Sequence, residues 1–133
     1  MVTWSSIVAV GAGAAVGAWI RWALGLALNP IFPALPLGTL TANLAGGLVM
    51  GFAMELIARH ALLSPEARLF VTTGFLGGLT TFSTFSAEMT TLLMRREWLW
   101  GAIGIVVHVG GSLVMSVLGI VLMRAAFAWG ASS

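Results

Sequence analysis

Four long apolar stretches, separated by short segments carrying proline, charge or both, run the length of the chain. Each stretch approaches or exceeds the roughly 20 apolar residues that an α-helix needs to cross a bilayer. The pattern predicts four helices, over residues 5–28, 37–57, 66–94 and 98–123. Asn29-Pro30 followed by Pro33 and Pro36 closes the first, because neither proline nor the residue before it continues a helix well. The second ends at Arg59-His60. Ser64-Pro65-Glu66 then reads as a helix start, with Ser as N-cap, Pro at the first position and an acid in the first turn. The third stretch is longer than a bilayer requires and is interrupted by Gly74, Gly77 and Gly78, so this helix is expected to be broken near its middle. Arg95-Arg96-Glu97 forms the next polar turn. Trp98, Trp100 and Trp129 flank the fourth stretch, where indoles favour the headgroup level.

Composition agrees with that reading. Of 133 residues, 59% are hydrophobic and 8% charged, with a mean hydropathy of +1.05. Too little polar side chain is present to cover a water-exposed surface. The chain reads as one all-α integral membrane domain over residues 1–133, with the lipid bilayer as its solvent and no room for a separate soluble domain. The N-terminus lacks a basic leader region and reads as a first span that is retained. The pI near 11.3 rests on six Arg against four Glu, with no Lys or Asp. Those arginines sit at span ends rather than in a stripe, which argues against nucleic acid as a partner. The absence of cysteine excludes disulfides and thiolate chemistry.

With four spans, Arg59, Arg68 and Arg124 fall toward one face of the membrane, and Arg21, Arg95 and Arg96 toward the other. Orientation normally follows an excess of Lys and Arg in cytoplasmic loops, and here neither face has one. The even split predicts a chain that inserts both ways up and pairs with its inverted copy about an axis in the membrane plane.

The segment GFLGGLTTFSTFSAE, residues 74–88, places hydroxyls, glycines and two phenylalanines where plain hydrocarbon is expected. Irregular backbone at membrane depth is tolerated only where it is buried or lines a pathway. Phe82 and Phe85, three apart, share a helix face. Their ring edges are the positive part of the aromatic quadrupole. Beside Thr80, Thr81, Ser83, Thr84 and Ser86 they offer a lining suited to a small anion. Asn43 is either interhelical glue or a donor to that anion. Arg21 either snorkels to the interface or adds positive potential to an anion vestibule. Glu88 is either a solvated interfacial acid or part of a pore mouth.

Three motifs together, GAAVGAWIRW at residues 13–22, PLGTLTANLAG at 36–46 and the 74–88 segment, resemble the CrcB-type fluoride channels of the Fluc family. The resemblance implies a fluoride-selective channel that passively exports fluoride, built as an antiparallel, dual-topology homodimer with two pores in a bacterial cytoplasmic membrane. It further implies that Phe82 and Phe85 turn ring edges to fluoride and that Asn43 is a pore residue. Ser83, Thr84, Thr39, His108 and Ser112 would supply a polar track. Backbone carbonyls of Gly77 and Thr80 would hold a structural sodium ion at the dimer centre. On physical grounds, carbonyls released at the Gly77-Gly78 step could hold such a cation, since no acid lies near the middle of a span.

The chain has no nucleotide-binding loop, no HExxH and no nucleophile triad, so it does not read as an enzyme. His60 and His108 are isolated in sequence and make a poor metal site. A small multidrug or proton-coupled exporter is the alternative, but it needs an acid deep in a span. An assembly subunit without transport would leave the hydroxyl and phenylalanine ladder unexplained. If the arginine balance governs insertion, a C-terminal tag on this protein will be accessible from both faces of the membrane in a single population. A tag found on one face only would rule out the antiparallel pairing.

Overall fold

The computed structural model describes residues 2–59 and 63–131; His60 lies outside them. All regular structure among the described residues is helical. Helix α1 (Trp4–Leu28) starts at Thr3, whose hydroxyl accepts from the backbone N–H of Ser6 at 3.2 Å. It ends where Asn29-Pro30 enters a short 3₁₀ turn, Asn29–Ile31. Asn29 then caps the next helix from outside. Its Oδ1 accepts from the N–H groups of Gly38 at 2.8 Å and Thr39 at 3.3 Å, which satisfies first-turn donors of α2 (Leu37–Ala58) that the N-cap Pro36 cannot reach.

The third membrane passage is composite. Helix α3 (Pro65–Arg68), capped by the Ser64 hydroxyl on the N–H of Ala67 at 3.2 Å, runs into a π-helical stretch, Leu69–Phe75, and then α4 (Leu76–Leu79). Thr80 and Thr81 are extended, with ψ of 153° and 111°, before α5 (Phe82–Met94) resumes. The turn after α5 places Arg96 in the left-handed region, φ 62°, and returns the N–H of Glu97 to the carbonyl of Leu92 at 2.9 Å, closing the helix end in the Schellman manner. Helix α6 (Trp98–Gly130) completes the chain. Trp4–Ile31, Leu37–Ala58 and Trp98–Gly130 are each long and apolar enough to cross a membrane unaided; the passage from Pro65 to Met94 is assembled from shorter pieces.

Two details differ from the sequence reading. The break does not fall at the Gly77-Gly78 step, because both glycines lie within α4 and the chain unwinds at Thr80-Thr81. Gly78 serves contact instead, since a methyl there would collide with the backbone of Ala14 on α1. Helix α6 also continues to Gly130, past residue 123. There Arg124 Nε pairs with Glu55 Oε2 at 2.9 Å, while Arg59 pairs with Glu55 Oε1 at 2.8 Å and lies 4.6 Å above the Phe127 ring. These contacts give the last turns of α6 partners on α2, so the helix has reason to persist.

Helices α2 and α6 pack along their lengths through small residues. A Cβ on Gly51 would sit 3.0 Å from the Cα of Gly119, an approach that only glycine at both positions allows. Helix α1 packs against the 69–79 segment in the same way. Two small apolar clusters frame the break, one of Ala42, Leu76 and Leu79 and the other of Leu35, Phe85, Met89 and Leu92. Large apolar side chains along α6, among them Val106, Val109, Leu113 and Val117, are exposed, as expected of a surface whose solvent is lipid.

Candidate functional site

The centre of the site is a side chain hydrogen-bonded to a broken backbone. Asn43, on the second turn of α2, accepts the N–H of Thr81 on its Oδ1 at 2.8 Å and donates its Nδ2 to the carbonyl of Thr81 at 3.2 Å. The same Nδ2 lies 3.1 Å from Nδ1 of His108 on α6. Thr81 in turn caps α5: its Oγ1 accepts from the N–H of Thr84 at 3.1 Å and donates to the Thr84 hydroxyl at 2.9 Å.

This pairing redirects the helix. In an unbroken helix the N–H groups of Thr81 and Thr84 would bond to the carbonyls of Gly77 and Thr80. Both donors are captured by side chains instead, which releases those two carbonyls from their helical partners. Neighbouring Gly78 has its carbonyl bonded to Nε of Arg21 at 2.9 Å. Arg21 is therefore half-buried against the break.

Two clefts flank the break. The first, about 520 Å³, is lined by Asn43, Phe82, Phe85, His108 and Ser112, together with Gly77, Thr80 and Thr81. The Phe82 and Phe85 centroids are 5.4 Å apart at 58°, with Phe85 buried and Phe82 76% exposed. Phe85 packs on His108 with centroids 4.7 Å apart. The second cleft, about 500 Å³, is lined by Arg21, Trp22, Asn29, Thr39, Thr81 and Thr84 among others. Thr81 borders both. Glu88 sits one turn beyond Thr84, where its Oε1 accepts from the Thr39 hydroxyl at 2.6 Å and its Oε2 is buried with no partner among the described residues. That is not the environment of a freely solvated acid.

The sequence-predicted residues are thus divided rather than gathered. Asn43, Phe82, Phe85, His108, Ser112, Gly77 and Thr80 share the first cleft, and Arg21, Thr39 and Thr84 share the second. Ser83 lines neither. It is exposed on the first turn of α5, 3.3 Å from the Thr81 hydroxyl, because its position points away from α2. Thr81, named from sequence only as one of the hydroxyl cluster, is the residue that bonds both Asn43 and Thr84. Its signal was local: a hydroxyl three residues before Thr84, at the start of an apolar helix, is an N-cap pattern. Asn29 and Ser116 also line the clefts, and Asn before Pro marks a cap or turn in the same way.

The lining supplies an amide, hydroxyls, an imidazole and aromatic rings, and the first cleft contains no acid. Such a surface offers donors and partial positive charge to a small anion. Among the described residues no group of three or more His, Cys, Asp or Glu side chains could hold a metal ion.

Residues 8–120 match the family described as CrcB-like protein, Camphor Resistance (CrcB). The chain is 58% identical over 119 residues to the fluoride-specific ion channel FluC of Nitrosospira multiformis, covering 90% of this chain and 93% of that protein. It is 60% identical over 114 residues to the corresponding channel of Aromatoleum aromaticum, covering 86% and 87%. It is 53% identical over 115 residues to that of Pseudomonas putida, covering 86% and 91%.

If the Asn43 amide secures the break, Asn43→Ala will leave the N–H and carbonyl of Thr81 without their partner at membrane depth. The expected loss is about 1–3 kcal/mol of stability, read as a lowered unfolding midpoint in detergent. An unchanged midpoint would mean that the break is held by something else.

Proposed function

This chain belongs to the CrcB-like family, and from that premise we propose that it is a fluoride-selective ion channel of the bacterial cytoplasmic membrane, a passive pathway and not an enzyme. The observation that carries the reading is the first cleft, where Phe82, Phe85, His108 and Ser112 line a space beside a break in the third passage, with Asn43 fixed there by its bonds to Thr81 and His108. A fluoride ion entering such a path exchanges water for N–H, O–H and aromatic C–H donors, and meets no acid within that cleft. Thr39, Thr84 and Arg21 in the second cleft, and Glu88 bonded to Thr39, extend the polar lining on the other side of Thr81. Ser83 is left outside this path.

A proton-coupled exporter is not favoured. It would need an acid deep in a span and free to exchange protons and cations, whereas Glu55 is held near the end of α2 by Arg59 and Arg124.

The cleft is open on one side in a single chain, and Gly77 there has no atom within 4 Å of where a Cβ would project. We infer that a second, inverted copy closes it, giving an antiparallel homodimer with two pores. The released carbonyls of Gly77 and Thr80 fit a sodium ion at the dimer centre: they are hard oxygen donors without helical partners, and two such sets facing each other repel unless a cation lies between them. The ion would fix the distance between the two breaks. A bulky side chain in the space at Gly77 tests this arrangement. Gly77→Leu should abolish dimer assembly and flux together, measured by crosslinking and efflux; retention of both would overturn the inferred interface.

The function itself is tested by flux. Purified protein in liposomes is expected to release fluoride down its gradient while holding back chloride by a large factor, and Phe82→Ile or Phe85→Ile to lower fluoride flux with the protein still folded. Equal fluoride and chloride fluxes would contradict the assignment.

A further inference from the structure

We propose that Arg59 and Arg124 form a binding site for the phosphate of an acidic phospholipid, at the end where α2 and α6 leave the hydrocarbon. Glu55 is buried, and both its oxygens are taken: Oε1 accepts from Nε of Arg59 at 2.8 Å and Oε2 from Nε of Arg124 at 2.9 Å. Two guanidiniums on one carboxylate leave positive charge in excess. Each Nε contact uses one of a guanidinium's five N–H donors, and the two arginine side chains remain 45% and 64% exposed. Arg59 is further steadied by the Phe127 ring, 4.6 Å from it. One buried anchor thus holds two planar donor groups in place before any ligand arrives, and a phosphate that bonds them costs the site little ordering. None of these residues lines either cleft.

The surface beside the pair points to a lipid as the source of that phosphate. Arg124 follows Val121, Val117 and Val114 by three, seven and ten residues, spacings that put all four on one face of α6. The three valines are 54%, 60% and 66% exposed. At 1.5 Å per residue the stripe over residues 114–124 is about 15 Å long. That is half of the roughly 30 Å hydrocarbon core, the depth of one acyl layer. Trp129, exposed beyond Arg124 on the same helix, is of the residue type that settles at the headgroup level. An acyl chain laid along the valines brings its phosphate to the arginines, whereas a phosphate free in water gains nothing from the stripe. The excess positive charge also selects among lipids, since it repels the ammonium of a choline or ethanolamine headgroup and not a glycerol.

Native mass spectrometry of the full-length protein, released from micelles with equal amounts of phosphatidylglycerol and phosphatidylcholine of the same acyl chains, counts the lipids retained. The unaltered protein is expected to keep phosphatidylglycerol over phosphatidylcholine by roughly tenfold, the size of one hydrogen bond to a charged group. Combining Glu55→Gln, Arg59→Gln and Arg124→Gln removes the charges but keeps side chains able to bond one another, and should abolish the preference. Arg95→Gln with Arg96→Gln, which removes as many arginines near the start of α6, should leave it intact. No preference in the unaltered protein, a preference that survives the triple change, or equal loss in both variants would overturn the proposal. Inorganic phosphate at millimolar concentration should not displace the lipid; displacement would assign the arginines to a soluble anion and overturn the lipid site. Labelling of the unaltered protein gives an answer even where the triple variant does not fold. Phosphatidylglycerol with a photoreactive acyl chain should attach to residues 114–121 of α6 several-fold more than the matched phosphatidylcholine does, and equal labelling by the two lipids would likewise overturn the site.

Discussion

The paired hydrogen bonds between the Asn43 amide and the backbone of Thr81 are the constraint from which the site follows. A helix cannot open inside a bilayer unless its freed donors and acceptors find partners in the protein. Asn43 supplies both partners for one residue, and the Thr81 hydroxyl, capping Thr84, supplies the donor's partner for the next helix. The chain can then change direction at Thr80-Thr81 without leaving those amides bare. Because those amides are taken by side chains, the Gly77 and Thr80 carbonyls lose their helical donors, and two clefts open on either side of Thr81. Structure and candidate function share one cause here.

Close packing holds Asn43 where it can act. Glycine contacts between α2 and α6, such as Gly51 against Gly119, bring the backbones near enough for Asn43 to touch His108. Gly78 against α1 holds the segment before the break, and Arg21 from α1 anchors its carbonyl. At the far end, Glu55 is shared by Arg59 and Arg124. That pairing ties α2 to α6 where the helices leave the hydrocarbon, with Glu55 itself buried and both its oxygens bonded. Glu55 is thus engaged by arginines, and Glu88 through one oxygen by Thr39.

Hydropathy made the membrane setting and the all-helical class legible, since an uninterrupted apolar run has few other uses. The phenylalanine pair, Asn43 and the hydroxyl cluster also stood out as polar or aromatic chemistry out of place. The position of the break did not. Glycines mark flexibility, so Gly77-Gly78 drew the expected unwinding, yet the helix opens where a side chain from another span captures a backbone N–H, and no pattern within one segment records that contact. Arg21 was ambiguous for a related reason: its carbonyl partner at Gly78 is 57 residues away in sequence. Ser83 looked equivalent to Thr84 by residue type, and only the direction of α5 separates them. The π-helical stretch Leu69–Phe75 left no trace in residue type. Thr72 bonding back to the carbonyl of Arg68 at 2.8 Å lies within it, but threonine does so in ordinary helices as well.

Amide hydrogen exchange at Thr81, measured by NMR in bilayers for the unaltered protein and for Asn43→Ala, tests most directly whether one side chain secures the break. In the unaltered protein Thr81 should be protected to the same degree as the α4 residues Leu76–Leu79. In Asn43→Ala its exchange should accelerate strongly while those helical neighbours stay protected. Equal protection of Thr81 in both proteins would contradict the account.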